Sequence, residues 1–189
     1  MSTTPRSPSL FTMQVLWGAL IVTPGLHALV LVATHKVDAA EPGPDAVMVV
    51  SITVCALIVA ALSVALPRVM ARRGAALSKP ATRDDQTYTD QGDHGFREAA
   101  TATTTRVLAD PAAAEQAAFR AAFTPFILGM ALAEAIANFG FVLAFLGGGL
   151  RLAAPFFAAS VALQAVRFPT RAGVLARYEE AVGARLPRG

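Results

Sequence analysis

Apolar positions along this chain fall into four blocks separated by polar segments. The first block runs from Leu10 to Thr34, carries no Asp, Glu, Lys or Arg, and holds a Pro24-Gly25 pair at its middle. The second runs from Ala46 to Leu66, and Pro67 is expected to stop it. The third is Ala122 to Leu146, with Thr124 and Pro125 near its start offering N-cap and first-turn chemistry. The fourth is Leu152 to Val166, bracketed by Arg151 and Arg167. A helix needs about 20 residues to cross the hydrocarbon of a bilayer. The fourth block is shorter, and its flanking arginines would snorkel to extend it. The pattern predicts an all-α integral membrane protein with four transmembrane helices in two hairpins, plus a short amphipathic C-terminal helix. The expected organisation is an N-terminal tail (1–9), a first hairpin (10–66), a connection that is partly disordered and then helical (67–121), a second hairpin (122–166) and an amphipathic tail (167–189).

Composition agrees. The chain is 54% hydrophobic and 15% charged, with a mean hydropathy of +0.52, where a soluble domain carries about 25% charged residues. The net charge of +3 and pI near 9.6 come from arginines flanking apolar blocks. With no aromatic-interleaved basic surface, they do not indicate nucleic-acid binding. The single cysteine, Cys55, excludes an intrachain disulfide and a cysteine-based metal site. The first block exceeds the roughly 7–15 residues of a signal-peptide core, so it is expected to be a retained span.

Basic residues orient the spans. Of the 16 Lys and Arg residues, only Lys36 and Arg151 lie in the two short connections. The rest lie in the 67–121 connection and the two tails. By the positive-inside rule, both termini and the long connection face the cytoplasm of a bacterial-type inner membrane. Pro80 to Thr105 is rich in Thr, Asp, Gln and Gly and is expected to lack a core of its own, with Asp110-Pro111 then starting a capped helix. After Pro169, Thr170 caps a helix whose Val174, Leu175, Tyr178, Val182 and Leu186 share one face. Such a basic helix either lies on an anionic leaflet or packs on the long connection. Pro67-Arg68 and Pro169 to Arg171 end the two hairpins similarly, which is a weak hint of a parallel repeat.

Glu134 is the candidate functional residue. It is the one acidic residue inside an apolar run long enough to cross a bilayer, where an ionisable group costs several kcal/mol and marks a site by default. Gly129, Ala133, Ala137, Gly140 and Ala144 form a small-residue stripe beside it that lets another helix approach closely. Ala154, Ala158 and Ala162 offer a matching stripe on the fourth span, and Ala56-Ala60 one on the second. Asn138 lies one turn from Glu134. His27 is the other midspan ionisable group. A rise of about 1.5 Å per residue puts Asn138 level with His27 and Glu134 roughly 7 Å deeper, so a Glu134–Asn138–His27 chain with a protonated Glu134 is expected. Three readings of Glu134 stand side by side: a hydrogen-bonded structural group, a proton or cation carrier, and a partner for a charge on another protein.

The segment Gly129 to Leu146, with Glu134, Ala135, Phe139, Gly140 and Val142 in order, resembles the ion-carrying helix of the rotor-ring c subunit of ATP synthases. In that family a midmembrane carboxylate is followed by a small residue, an aromatic-glycine pair and a Val- and Ala-rich run. The resemblance implies that Glu134 takes and releases a proton. It is confined to this helix; the family's glycine-repeat helix and its polar Arg-Gln-Pro turn have no counterpart in the chain.

No phosphate-binding glycine loop, zinc-binding His-Glu pair or nucleophile turn appears. Asp90, Asp93 and His94, and likewise His35, Asp38 and Glu41, read as solvated loop residues. The expectation is therefore no catalytic residue, no metal, no cofactor and no enzymatic activity. The expected role is that of a small multipass subunit or accessory of a larger assembly, in contact with lipid and with other membrane subunits or copies of itself. The alternative is a proton or cation translocation subunit with Glu134, Asn138 and His27 as its ion-binding group.

Overall fold

The computed structural model describes residues 9–34, 43–78, 80–88 and 102–186. The N-terminal tail, the short connection bearing His35, Asp38 and Glu41, and the Asp90, Asp93 and His94 group lie outside the described residues. The elements in order are α1 (Leu10–Ala33), α2 (Ala46–Ser78), β1 (Thr82–Tyr88), β2 (Ala102–Leu108), α3 (Pro111–Leu143), α4 (Gly149–Ala165) and α5 (Arg171–Val182). Three stretches are long and apolar enough to cross a membrane: α1, α2 and the joined run Pro111–Ala165.

Helix starts follow cap chemistry. Ser9 caps α1 by accepting from the Thr12 amide, and Asp110 caps α3 by accepting from the Ala112 and Ala113 amides with Pro111 in the first turn. Asp45 Oδ1 accepts from the Met48 amide at 2.7 Å to open α2. The Asp110-Pro111 start was legible in advance. The helix it opens runs through Pro125 without a break, so the expected boundary at residue 121 falls inside one continuous helix.

The joined run Pro111–Ala165 is two helices. A wide turn at Ala144–Gly148 connects them, with Gly147 at φ 97° and Gly149 at φ 66°. Left-handed backbone favours glycine there, and the chain reverses. α4 then runs back along α3: Phe156 lies against Gly140, and Arg167 lies against Gly129. A Cβ at Gly140 would stand 2.6 Å from Phe156 Cβ and 3.0 Å from the Ala153 carbonyl oxygen, so the absence of a side chain sets how closely the two helices approach.

α3 is the central element. α2 packs antiparallel on one side of it, and α1 packs on both α3 and α4. α1 and α2 barely touch, so the expected first hairpin is not a packed pair, and the two halves of the chain are not alike. The five stripe residues Gly129, Ala133, Ala137, Gly140 and Ala144 are all buried, as helix packing through small residues requires. The fourth-span stripe is a correction. Ala154, Ala158 and Ala162 are exposed, and α4 turns Ala153, Phe156, Phe157, Ser160 and Gln164 inward. In an alanine-rich helix the i, i+4 spacing recurs on every face, and bulk and polarity decide which face is buried.

Two further expectations are corrected. First, α2 does not stop at Pro67 but continues to Ser78. A proline inside a helix removes the amide that would bond the carbonyl four residues earlier, here that of Ser63. Arg167 Nη2 donates to this carbonyl at 2.7 Å instead, so the helix carries on. Second, the connection expected to be disordered forms an antiparallel ribbon, from Thr82 opposite Leu108 to Tyr88 opposite Ala102. β2 is rich in β-branched residues, with Thr103, Thr104, Thr105 and Val107. The ribbon is anchored by the fully buried Leu108 and by backbone bonds between Arg185 and residues 106 and 108. Of the two placements open to α5, packing on the long connection is the one found, with its apolar face turned inward. Thr170 caps it as expected, and Val174 and Tyr178 are buried with Ala75, Leu108, Ala114, Ala118 and Phe119 in a core at the base of the bundle. Arg171 pairs with Glu115 of α3 through two bonds of 2.7 and 2.8 Å.

Candidate functional site

Two polar centres lie on the buried face of α3. The first is built around Glu134. Gln164 of α4, fully buried, donates from Nε2 to Glu134 Oε2 and to Ser160 Oγ, each at 3.1 Å. The two amide hydrogens are thereby used. The Gln164 backbone carbonyl accepts from Trp17 Nε1 of α1 at 2.9 Å. The second carboxylate oxygen, Glu134 Oε1, faces His27 Nδ1 of α1 at 3.8 Å. That is beyond hydrogen-bond reach, and among the described residues neither atom has a hydrogen-bond partner, nor has Gln164 Oε1. The His27 ring is held between Phe141 and Phe157, with centroids 4.9 and 6.3 Å away.

Glu134 and His27 are therefore brought together, as expected, but the geometry of the pairing differs. His27 stands directly beside Glu134 and not a turn away. The depth estimate took the midpoints of apolar blocks as reference levels, whereas α3 begins eleven residues before its block, at Pro111. Asn138, one turn along the same side of α3, is exposed and takes no part in the cluster. Its place is filled by Gln164, a residue that sequence reasoning missed. The available signal was that Gln164 is the one amide side chain in the fourth apolar block; what was missing was the register of that block on α3.

The cluster has definite chemistry. One carboxylate oxygen is fixed by an amide donor, and the other points at an imidazole nitrogen. A proton on either Glu134 Oε1 or His27 Nδ1 has the other atom as its acceptor once the gap shortens or a water bridges it. Side-chain exposures of 13% for Glu134 and 20% for His27 leave the pair mostly enclosed.

The second centre is Arg167, just beyond the end of α4. Its Nη1 donates to the Gly129 carbonyl at 3.0 Å, and its Nη2 donates to the Ser63 carbonyl at 2.7 Å and to Ser63 Oγ at 3.1 Å. One guanidinium thus ties α2, α3 and the end of α4 together. Gly129 makes room for it: a Cβ there would lie 3.1 Å from Pro67 Cγ and 3.4 Å from Arg167 Nε. Arg167 is therefore a clamp between helices and not a snorkelling flank residue. Its signature is the Ser63-to-Pro67 spacing, which frees one carbonyl inside an apolar helix.

Among the described residues no group of three or more His, Cys, Asp or Glu side chains is placed to hold a metal. No protein-family model matches the chain, and no curated protein or solved structure matches it either.

Proposed function

We propose that this is a multipass membrane protein of a bacterial-type inner membrane, a subunit or accessory of a larger assembly, with Glu134 as the polar centre of its bundle. Four apolar helices cross the bilayer, and both termini and the long connection are cytoplasmic. The observation that carries the reading is the contrast between exterior and interior. Only 11% of the most apolar stretch of α1 and of α2 is buried, leaving residues such as Phe11, Val22, Leu29, Val50 and Leu57 exposed. Such extended apolar surface suits lipid or another subunit. The polar groups Glu134, Gln164, Ser160 and His27 face inward, as bilayer energetics demand. The start of α1, the ends of α2 and α4, and all of α5 meet at one end, in agreement with the arginine asymmetry. The test is alkaline extraction of membranes followed by labelling of single cysteines. Cysteines placed at Ser9 and Gly183 should both react only from the cytoplasmic side. Release of the protein by alkali, or labelling of the two positions from opposite sides, would refute the reading.

A second reading has its own supporting observation. Glu134 Oε1 and His27 Nδ1 face each other in an enclosed site without other partners, as a proton-exchanging pair would. The local resemblance to the rotor-ring c subunit points the same way. On this reading dicyclohexylcarbodiimide labels Glu134, and Glu134→Gln abolishes proton flux in proteoliposomes while the protein stays folded. Unchanged flux in that variant would eliminate it.

A further inference from the structure

At the end of the bundle where α5 packs lies a cavity of about 830 Å³, bounded by α2, α3, the end of α4 and α5. Four arginines line it: Arg68 and Arg72 from α2, Arg167 beyond α4, and Arg177 from α5. Glu180 is the one acidic residue on its wall. Among the described residues no carboxylate lies within ion-pair distance of any of the four. The N-terminus of α5, at Thr170 and Gly173, also faces the cavity, and its macrodipole adds positive potential there. Burial first, and the like charge of Arg68 second, hold Arg167 below its ordinary pKa. The remaining wall is apolar, including Met13, Val64, Phe126 and Val174.

We infer that this cavity binds a phosphate-bearing anion, its phosphate between the arginines, with the apolar wall able to take the chain of a lipid. Guanidinium groups match phosphate geometry with paired donors, and basic recesses between membrane helices on the cytoplasmic side suit anionic headgroups. An uncompensated set of four like charges around one recess is costly when empty, and an anion offsets it. The chemistry could come from a lipid headgroup or from a soluble phosphate. The lipid source rests on the membrane-spanning reading, whereas the soluble source does not.

The protein has one tryptophan. Trp17 stacks edge-on against Phe168 with ring centroids 4.9 Å apart, and Phe168 lines the cavity, so Trp17 fluorescence reports its occupation. The protein purified in neutral detergent is titrated with phosphatidylglycerol, with phosphatidylcholine and with inorganic phosphate. The expected result is saturable quenching or a spectral shift with phosphatidylglycerol and little response to phosphatidylcholine. Substituting Arg68→Gln with Arg177→Gln, both exposed and free of hydrogen-bond partners among the described residues, should weaken binding about 30-fold, at about 1 kcal/mol per arginine. Arg73→Gln with Arg120→Gln removes the same charge away from the cavity and should leave binding within a few-fold of wild type. An arginine-dependent response to inorganic phosphate alone supports a soluble source; a response to phosphatidylglycerol alone supports a lipid. Equal titration by the two lipids with no response to phosphate, or equal weakening by both arginine pairs, overturns the inference. Alkaline extraction of the protein from membranes would refute the membrane reading and leave the phosphate titration standing.

Discussion

Replacing Arg167 by Met should destabilise the bundle in a way that depends on Pro67. Arg167 supplies the donor that Pro67 cannot give to the Ser63 carbonyl, at 2.7 Å. Ser63 is fully buried, so the loss strands a carbonyl in an apolar interior, at about 1–3 kcal/mol. The bonds to Gly129 O and Ser63 Oγ are lost as well, and the single variant should lose at least about 2 kcal/mol. Pro67→Ala restores an amide four residues after Ser63. In the wild-type background that carbonyl is already occupied, so the substitution should matter little. In the Arg167→Met background it should recover about 1–2 kcal/mol, because the restored amide pairs the buried carbonyl that the arginine left. The assay is reversible unfolding in mixed detergent micelles followed by Trp17 fluorescence, run as a double-mutant cycle. Additivity of the two substitutions within about 0.5 kcal/mol would show that Arg167 does not serve the carbonyl Pro67 frees, and would refute the reasoning.

Other substitutions test the packing and the base of the bundle. Gly140→Ala should destabilise by roughly 1–3 kcal/mol in the same unfolding assay, because its Cβ meets Phe156 Cβ and backbone and not a flexible side-chain end. Gly18→Ala, with nothing within 4 Å, should be neutral or stabilise by up to about 1 kcal/mol, and the opposite order would contradict the α3–α4 packing. The Arg171 guanidinium, hydrogen-bonded to Glu115, holds the Glu115 carboxyl below its ordinary value, with the nearby positive charge adding to the effect. A depressed folded value contributes stability above the unfolded pKa and loses it as pH falls through the folded one. Glu115→Gln should therefore be less stable than wild type at neutral pH, and the difference should close in acid below the usual carboxylate range; a pH-independent difference would argue against the ion pair. Gln164→Leu should destabilise α1, α3 and α4 together, seen as increased amide exchange in all three helices, since Glu134 Oε2 and Ser160 Oγ both lose their donor.

The parts of the fold that sequence made legible are those governed by local chemistry. The apolar blocks, the Asp110-Pro111 and Thr170 caps, and the small-residue stripe from Gly129 to Ala144 are each readable within one helix. Glu134 stood out because charge in such a run is expensive, and His27 because it was the other midspan ionisable group. What escaped depended on how one helix registers against another. Gln164 reaches Glu134 only because the chain reverses at Gly147–Gly149. Arg167 is a clamp only because Ser63 and Gly129 meet across α2 and α3. Pro67 reads as a stop because the donor that lets α2 continue lies 104 residues beyond Ser63 in the chain. The ribbon escaped because its support, Arg185 and the α5 core, is likewise distant in sequence.

The central claim is that Glu134 is the polar centre joining α1, α3 and α4, and the comparison of Glu134→Gln with Glu134→Leu tests it most directly. Both variants are extracted from membranes, and the folded, assembled fraction is measured by size-exclusion chromatography in mild detergent. A Gln at this position keeps a carbonyl to accept from Gln164, whereas a Leu leaves the Gln164 amide and His27 Nδ1 in an apolar site. The account predicts near-wild-type assembly for Glu134→Gln and loss of the assembled fraction for Glu134→Leu. A Glu134→Leu protein that assembles as stably as wild type would contradict it.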